Sequence, residues 1–149
     1  MKWLKRITAA ITIFYTFCLF YWMFIGFGRG GFYNGDQMRY NIIPFKTINN
    51  YFTHFHHFNL DTWIINMGGN IGVFIPFGFS LPILFGWRFG RTVLSFALFI
   101  TVLEVLQMVT RRGSLDVDDI ILNTLGAAVG YGIYSAAASI SSRYINVVK

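Results

Sequence analysis

Glu104, Gln107, Arg111, Arg112, Asp116, Asp118, Asp119 and Asn123 crowd into one stretch, EVLQMVTRRGSLDVDDIILN (Glu104–Asn123), of a chain otherwise dominated by Phe, Ile, Leu, Val and Gly. Residues of these types support three kinds of chemistry. Carboxylates whose pKa values are pushed apart by burial and neighbouring charge can serve as a general acid and a general base. Arginine forks suit phosphate, while Asp and Asn suit sugar hydroxyls. Asp116, Asp118 and Asp119 also offer the oxygen donors that a hard divalent cation takes. The metal reading is the weakest, because DVDD is short and lacks the DxDxDG pattern of a calcium loop. No metal and no cofactor is assigned. Ser80 and Ser114 have no histidine near them in sequence, so no nucleophile arrangement is read either.

Such residues need a scaffold, and the composition says what kind. Of 149 residues, 55% are hydrophobic and only 12% charged, with a mean hydropathy of +0.54, against about a quarter charged in a soluble domain. This points to a small integral membrane protein forming a single unit over residues 1–149. The single cysteine, Cys18, lies in an apolar run and excludes an internal disulfide. The net charge of +6 is scattered over chain ends and short loops instead of forming a stripe, so nucleic acid is rejected as a partner and membrane lipid is favoured.

The fold class expected is all-α: an integral membrane bundle of four transmembrane helices, with an interfacial segment between the first two. The first span is Ile7 to Phe27, about 30 Å of helix after Lys2, Lys5 and Arg6. It is long for a signal sequence and is followed by GFGRGG, not by a small-residue cleavage site. Gly28 to Asp61 is aromatic and polar and suits the headgroup layer. Within it, His54, His56 and His57 read as amphipathic anchors, since no HExxH pattern supports a metal role.

The second span runs from about Trp63 to Phe85, with Asn66 and Asn70 four apart on one face. Gly68 and Gly72 predict a close helix approach on nearly the opposite face, and Pro76 predicts a kink. The third span, Thr92 to Thr110, is bare until Glu104, with Gln107 and Arg111 following at i+3 and i+7. The fourth, from Asp118 to about Ile140, aligns Asp116, Asp119 and Asn123 with Gly126 and Gly130. These two glycines read as a packing groove, since no strand precedes them to make a phosphate loop.

Four spans place both termini on one side. That side holds Lys2, Lys5, Arg6, Arg88, Arg91, Arg143 and Lys149; the other holds Arg29, Arg39, Lys46, Arg111 and Arg112. The excess predicts cytoplasmic termini. Rise per residue then puts Asn70 and Glu104 about 10 Å, and Asn123 about 7 Å, below the outer interface. Three helices thus bring polar groups to the same outer half of the membrane. An ionised Glu104 there must face the bundle interior and find a partner. The plainest role for such a network is to lock three helices together.

Four stretches in order, NIIPFKTI (Asn41–Ile48), NMGGNIGVFIPFGF (Asn66–Phe79), EVLQ (Glu104–Gln107) and RRGSLDVDDIILNTLGAAVGY (Arg111–Tyr131), resemble the VanZ-like family of bacterial membrane proteins over about residues 41–134. The resemblance implies a multi-pass protein of the bacterial cell membrane and envelope. The family's founding member is associated with resistance to teicoplanin and related lipid-bearing glycopeptides. Its recurrent polar positions fall here on Asn66, Asn70, Glu104, Gln107, Arg111 or Arg112, Asp116, Asp119 and Asn123, with Pro76 and Gly126 beside them.

The expected function is recognition of, or altered access to, a lipid-linked cell-wall component or lipoglycopeptide through that polar pocket. An enzyme acting on a lipid or glycan headgroup is the alternative. A transporter is disfavoured by four short spans, no inverted repeat and a bare inner half.

Overall fold

The computed structural model describes residues 2–26, 39–55 and 59–147, with side chains described as far as 141. Four helical segments are long and apolar enough to cross a membrane: Lys2–Phe24, Leu60–Phe85, Phe89–Val109 and Val117–Ser141. The protein is therefore an all-α, multi-pass membrane bundle. In chain order its elements are α1 (Lys2–Phe24), β1 (Tyr40–Asn41), α2 (Lys46–Thr53), α3 (Leu60–Trp63), a π-helical stretch (Ile64–Gly68), α4 (Gly69–Gly72), α5 (Ile75–Phe85), α6 (Phe89–Val109), β2 (Leu115–Asp116) and α7 (Val117–Val147). Of the interfacial segment, residues 28–38 and 56–58, with His56 and His57, lie outside the described residues. The rest contains α2. His54 sits exposed beyond its end, with Nδ1 3.2 Å from the Asn50 carbonyl.

The second span runs as one helical segment, Leu60–Phe85, but its hydrogen bonding is interrupted at Pro76. Pro76 has no N–H for the turn before it, and the N–H of Phe77 turns to the Phe74 carbonyl at 3.2 Å. The carbonyl of Val73 accepts instead from the Tyr15 hydroxyl of α1 at 2.8 Å. A neighbouring helix thus satisfies the group that the break frees, which is the condition for a proline in hydrocarbon. Beside this joint lies the core: Leu19 and Met23 of α1, Phe74, Phe77 of α5, Phe96, Ile100 and Leu103 of α6, and Ala127 of α7. Phe96 meets Phe74 at a centroid distance of 5.4 Å and Phe77 at 5.9 Å, tilted as aromatic quadrupoles favour.

The second span and α7 approach closely, but not through the glycines expected on the second span. A Cβ on Gly72 would meet nothing within 4 Å, and one on Gly68 only the Ile64 side chain of its own helix. The contact runs instead through Gly78 of α5 and Gly126 and Gly130 of α7, each lying against opposing backbone. Gly78 faces the carbonyl of Ala127, Gly126 that of Ile71, and Gly130 that of Ile75. Small residues let backbones meet where packing, not hydrophobic exclusion from water, drives association. Period alone placed glycine pairs four apart on both helices. Only on α7 does that face look at a partner.

Both turns on either side of α6 are short. Gly86, at φ +69°, ends α5 with its N–H on the Pro82 carbonyl at 2.9 Å. At the far end, Arg111 takes the left-handed conformation at φ +56°. Its N–H reaches the Met108 carbonyl at 3.1 Å and that of Arg112 reaches Gln107 at 2.9 Å. This is the paired closure normally led by glycine. It swings the Arg111–Gly113 turn back over Gln107, where a Cβ on Gly113 would lie 3.3 Å from the Gln107 Cβ.

Candidate functional site

α7 starts with its own cap. Asp116 precedes the helix, and its Oδ1 accepts from the N–H of Asp118 at 2.9 Å, while Asp118 and Asp119 fill the first turn. Acids at these positions satisfy orphan amides and complement the helix dipole. DVDD is therefore first of all a helix start.

The same acids then hold α2. The residue before α2 is Phe45, at φ +63°, which has no side-chain acceptor to cap that helix. Asp118 supplies the cap from across the fold. Its carboxylate accepts from the N–H groups of Phe45, Thr47 and Ile48 at 2.5, 2.7 and 3.0 Å, and the residue is fully buried. Asp116 Oδ2 accepts from the Thr47 hydroxyl at 2.7 Å, and its Oδ1 from the Asn41 amide at 3.1 Å. A two-residue parallel pairing of β1 with β2, Tyr40 to Leu115 and Asn41 to Asp116, lays the two approach segments side by side. Two helix N-termini thus converge on one carboxylate cluster, and their partial positive charge makes its burial tolerable.

Asp119, the third acid, turns to the second span. Its Oδ1 accepts from the Asn70 amide at 2.6 Å, and both residues are half-buried. Tyr51 of α2 is close enough to feel these charges. Desolvation first, then Asp119 and Asp116, raise its phenol above the ordinary value of 10.0. Because a raised pKa favours the neutral form, Tyr51 is a hydrogen-bond donor at every physiological pH. Any stability linked to this shift is fully present below pH 10 and is lost only as pH rises through the folded-state value. Asp119→Asn is expected to lower the Tyr51 pKa, read from its tyrosine Cζ NMR titration.

The remaining expected site residues separate into four groups. Gln107 and Arg112 serve α1. The Gln107 side-chain amide donates to the Met23 carbonyl at 2.8 Å, and the Arg112 guanidinium to that of Phe24 at 2.6 Å. Those are the last carbonyls of α1, where donors and cations are favoured. Asn66 lies inside the π-helical stretch and bonds its own helix, donating to the Thr62 carbonyl at 2.7 Å; Asn70, just beyond it, reaches α7. Glu104 and Asn123 are buried in the bundle at 4% and 2% exposure. Asn123 lies four residues after Asp119 on α7, hence one turn deeper on the same face. Its Oδ1 has no hydrogen-bond partner among the described residues. Arg111 is exposed at the turn.

Alanine at Gln107 or Arg112 should loosen the α1 end. We expect a loss of about 1 kcal/mol for the neutral bond and about 2 kcal/mol for the charged one, read from thermal unfolding in detergent.

Asn41, Thr47 and Tyr51 join this polar cluster although sequence reading did not place them in it, and Asp118, read from sequence at its mouth and as a possible metal donor, proves to be the cap of α2. The order NIIPFKTI then DVDD carried a signal, since a helix start without its own cap must borrow one. The distance between the two in sequence hid the pairing. Asp116 and Asp118 share Thr47 as a donor while Asp119 turns to Asn70, and among the described residues no group of three or more His, Cys, Asp or Glu is arranged to hold a metal ion.

Comparison with known proteins places this chain in a family. The family model described as VanZ/LLP1 matches residues 12–139, extending the motif-bearing region to include most of α1. Neither the curated proteins nor the solved structures gave a match. With the match covering well over half of the chain, this four-span membrane protein belongs to the VanZ-like family.

Proposed function

We propose that this protein recognises the polar headgroup of a lipid-linked envelope component, or of a lipoglycopeptide, at the α2–α7 end of the bundle, and that this end faces outward. The outward orientation rests on the excess of basic residues at the terminal end. The observation that carries the reading is the polar seam on one face of α7, half-buried at Asn70 and Asp119. There the half-buried Asn70–Asp119 pair lies beside the Tyr51 phenol, and the Asn123 acceptor waits one turn below without a partner among the described residues. An unmatched buried acceptor costs about 1–3 kcal/mol, so a headgroup hydroxyl that reached Asn123 would recover that cost. Carboxylate, amide and phenol together suit sugar hydroxyls, and the exposed Arg111 at the same end suits phosphate. The carboxylates act as fixed acceptors, which favours binding over proton transfer.

The test is expression in a teicoplanin-susceptible bacterium. The wild-type chain should raise the inhibitory concentration of teicoplanin several-fold. Asp119→Ala and Asn70→Ala should abolish that protection with membrane abundance unchanged. Loss of the protein in both variants, or protection that survives them, would refute the reading.

A further inference from the structure

The opposite end of the bundle holds a second feature that the polar seam does not use. α1 packs along α5 and is tied to α6 at its C-terminal end by Gln107 and Arg112. Towards the N-terminus of α1 the two helices part around a crevice of about 630 Å³, within the range of pockets that hold small ligands. Ile13 of α1, Phe77 and Leu84 of α5 and Phe99 of α6 line it. Thr12 and Thr16 also line it, but their hydroxyls donate to the Thr8 and Thr12 carbonyls of their own helix at 2.8 and 2.7 Å. The interior therefore asks for hydrocarbon.

The mouth asks for an anion. Lys5, Arg6 and Trp87 rim it, and Lys5 Nζ reaches the Leu84 carbonyl at the end of α5 at 3.4 Å. Arg91 lies over the Trp87 ring at 5.0 Å, so a further cation stands beside the rim. No acidic residue precedes Asp36 or falls between Asp61 and Glu104 in the sequence, so nothing in α1, α5 or the turn after it neutralises these cations. A largely apolar crevice with Lys5, Arg6 and Trp87 in its lining matches an anionic lipid in both polarity and charge.

We infer that the crevice between α1, α5 and α6 is a binding site for an anionic phospholipid, one acyl chain filling the slot and the phosphate held by Lys5 and Arg6. The full chain, purified in mild detergent and stripped of lipid, is titrated in native mass spectrometry with phosphatidylglycerol or phosphatidylcholine of identical acyl chains. The first phosphatidylglycerol should be retained at least fivefold more than the first phosphatidylcholine. The double variant Lys5→Gln, Arg6→Gln, at exposed positions, should lose that preference. Ala9→Trp, filling the slot, should lose the first adduct while keeping the melting temperature. Lys46→Gln, removing an exposed cation at the other end, should change neither. Glycerol phosphate should fail to compete, since the headgroup alone lacks the chain. The inference is overturned by equal retention of the two lipids, by a preference that survives Lys5→Gln, Arg6→Gln or Ala9→Trp, by displacement with glycerol phosphate, or by a dimer formed across this face.

Discussion

Asp118→Ala should be the most damaging single side-chain deletion in the protein, costing about 3–5 kcal/mol of stability. Charge-assisted hydrogen bonds contribute about 1.5–3 kcal/mol each, and removing one partner of a buried charged arrangement costs about 3–5 kcal/mol in total. Here one fully buried carboxylate serves three backbone amides at the start of α2. No other residue can replace it, because the cap position of α2 is held by Phe45. Asp118→Asn should lose about half as much, since one carboxylate oxygen becomes a donor facing other donors. Hydrogen exchange gives the discriminating readout: the Thr47 and Ile48 amides should lose protection in Asp118→Ala while the amides of α6 keep theirs. If α2 stays protected, the carboxylate is not what holds it.

Gly78→Ala, Gly126→Ala and Gly130→Ala form the second large prediction. Each added methyl would overlap a backbone carbonyl of the facing helix, and backbone cannot swing aside as a flexible side chain can. The helices must separate, with a cost of about 3 kcal/mol or more, at the top of the range for overpacked interiors. Separation would also pull Asn70 from Asp119, so Gly126→Ala should disturb the polar seam without touching it. Gly132→Ala is the control. It sits on α7 with nothing within 4 Å of a built Cβ, so it should be neutral or stabilise by about 0.5–1 kcal/mol through helix propensity. Thermal unfolding of the four variants in one detergent decides the matter; equal melting temperatures would show that the close crossing is not needed.

Those two cases show where sequence reading reaches its limit. The spans were legible because their signal is local: about twenty apolar residues in a row admit few other structures. Observed boundaries moved by only a few residues, as with Leu60 in place of Trp63. The stripe of Asp119, Asn123, Gly126 and Gly130 on α7 was legible for the same reason, being a matter of helical period. Gly68 and Gly72 have the same period, yet no helix faces them. Likewise Asn66 and Asn70 share a nominal face, but one bonds its own helix and the other crosses to α7.

What the sequence determined by itself is the class of protein and its stock of polar residues: a four-span membrane bundle of VanZ-like type, with those residues gathered towards one end. Composition, span length and the order of motifs are properties of the chain that no packing can alter. What only the tertiary structure decided is the employment of each polar group. Gln107 and Arg112, expected in the pocket, finish α1, while Asp118, expected at the mouth or as a metal donor, anchors α2. The reason lies in the solvent. Backbone amides and carbonyls left open at helix ends and breaks find no water in hydrocarbon, so the nearest side chains must satisfy them. Which side chains are nearest depends on how helices distant in sequence are laid together, and that is written in no single stretch of the chain.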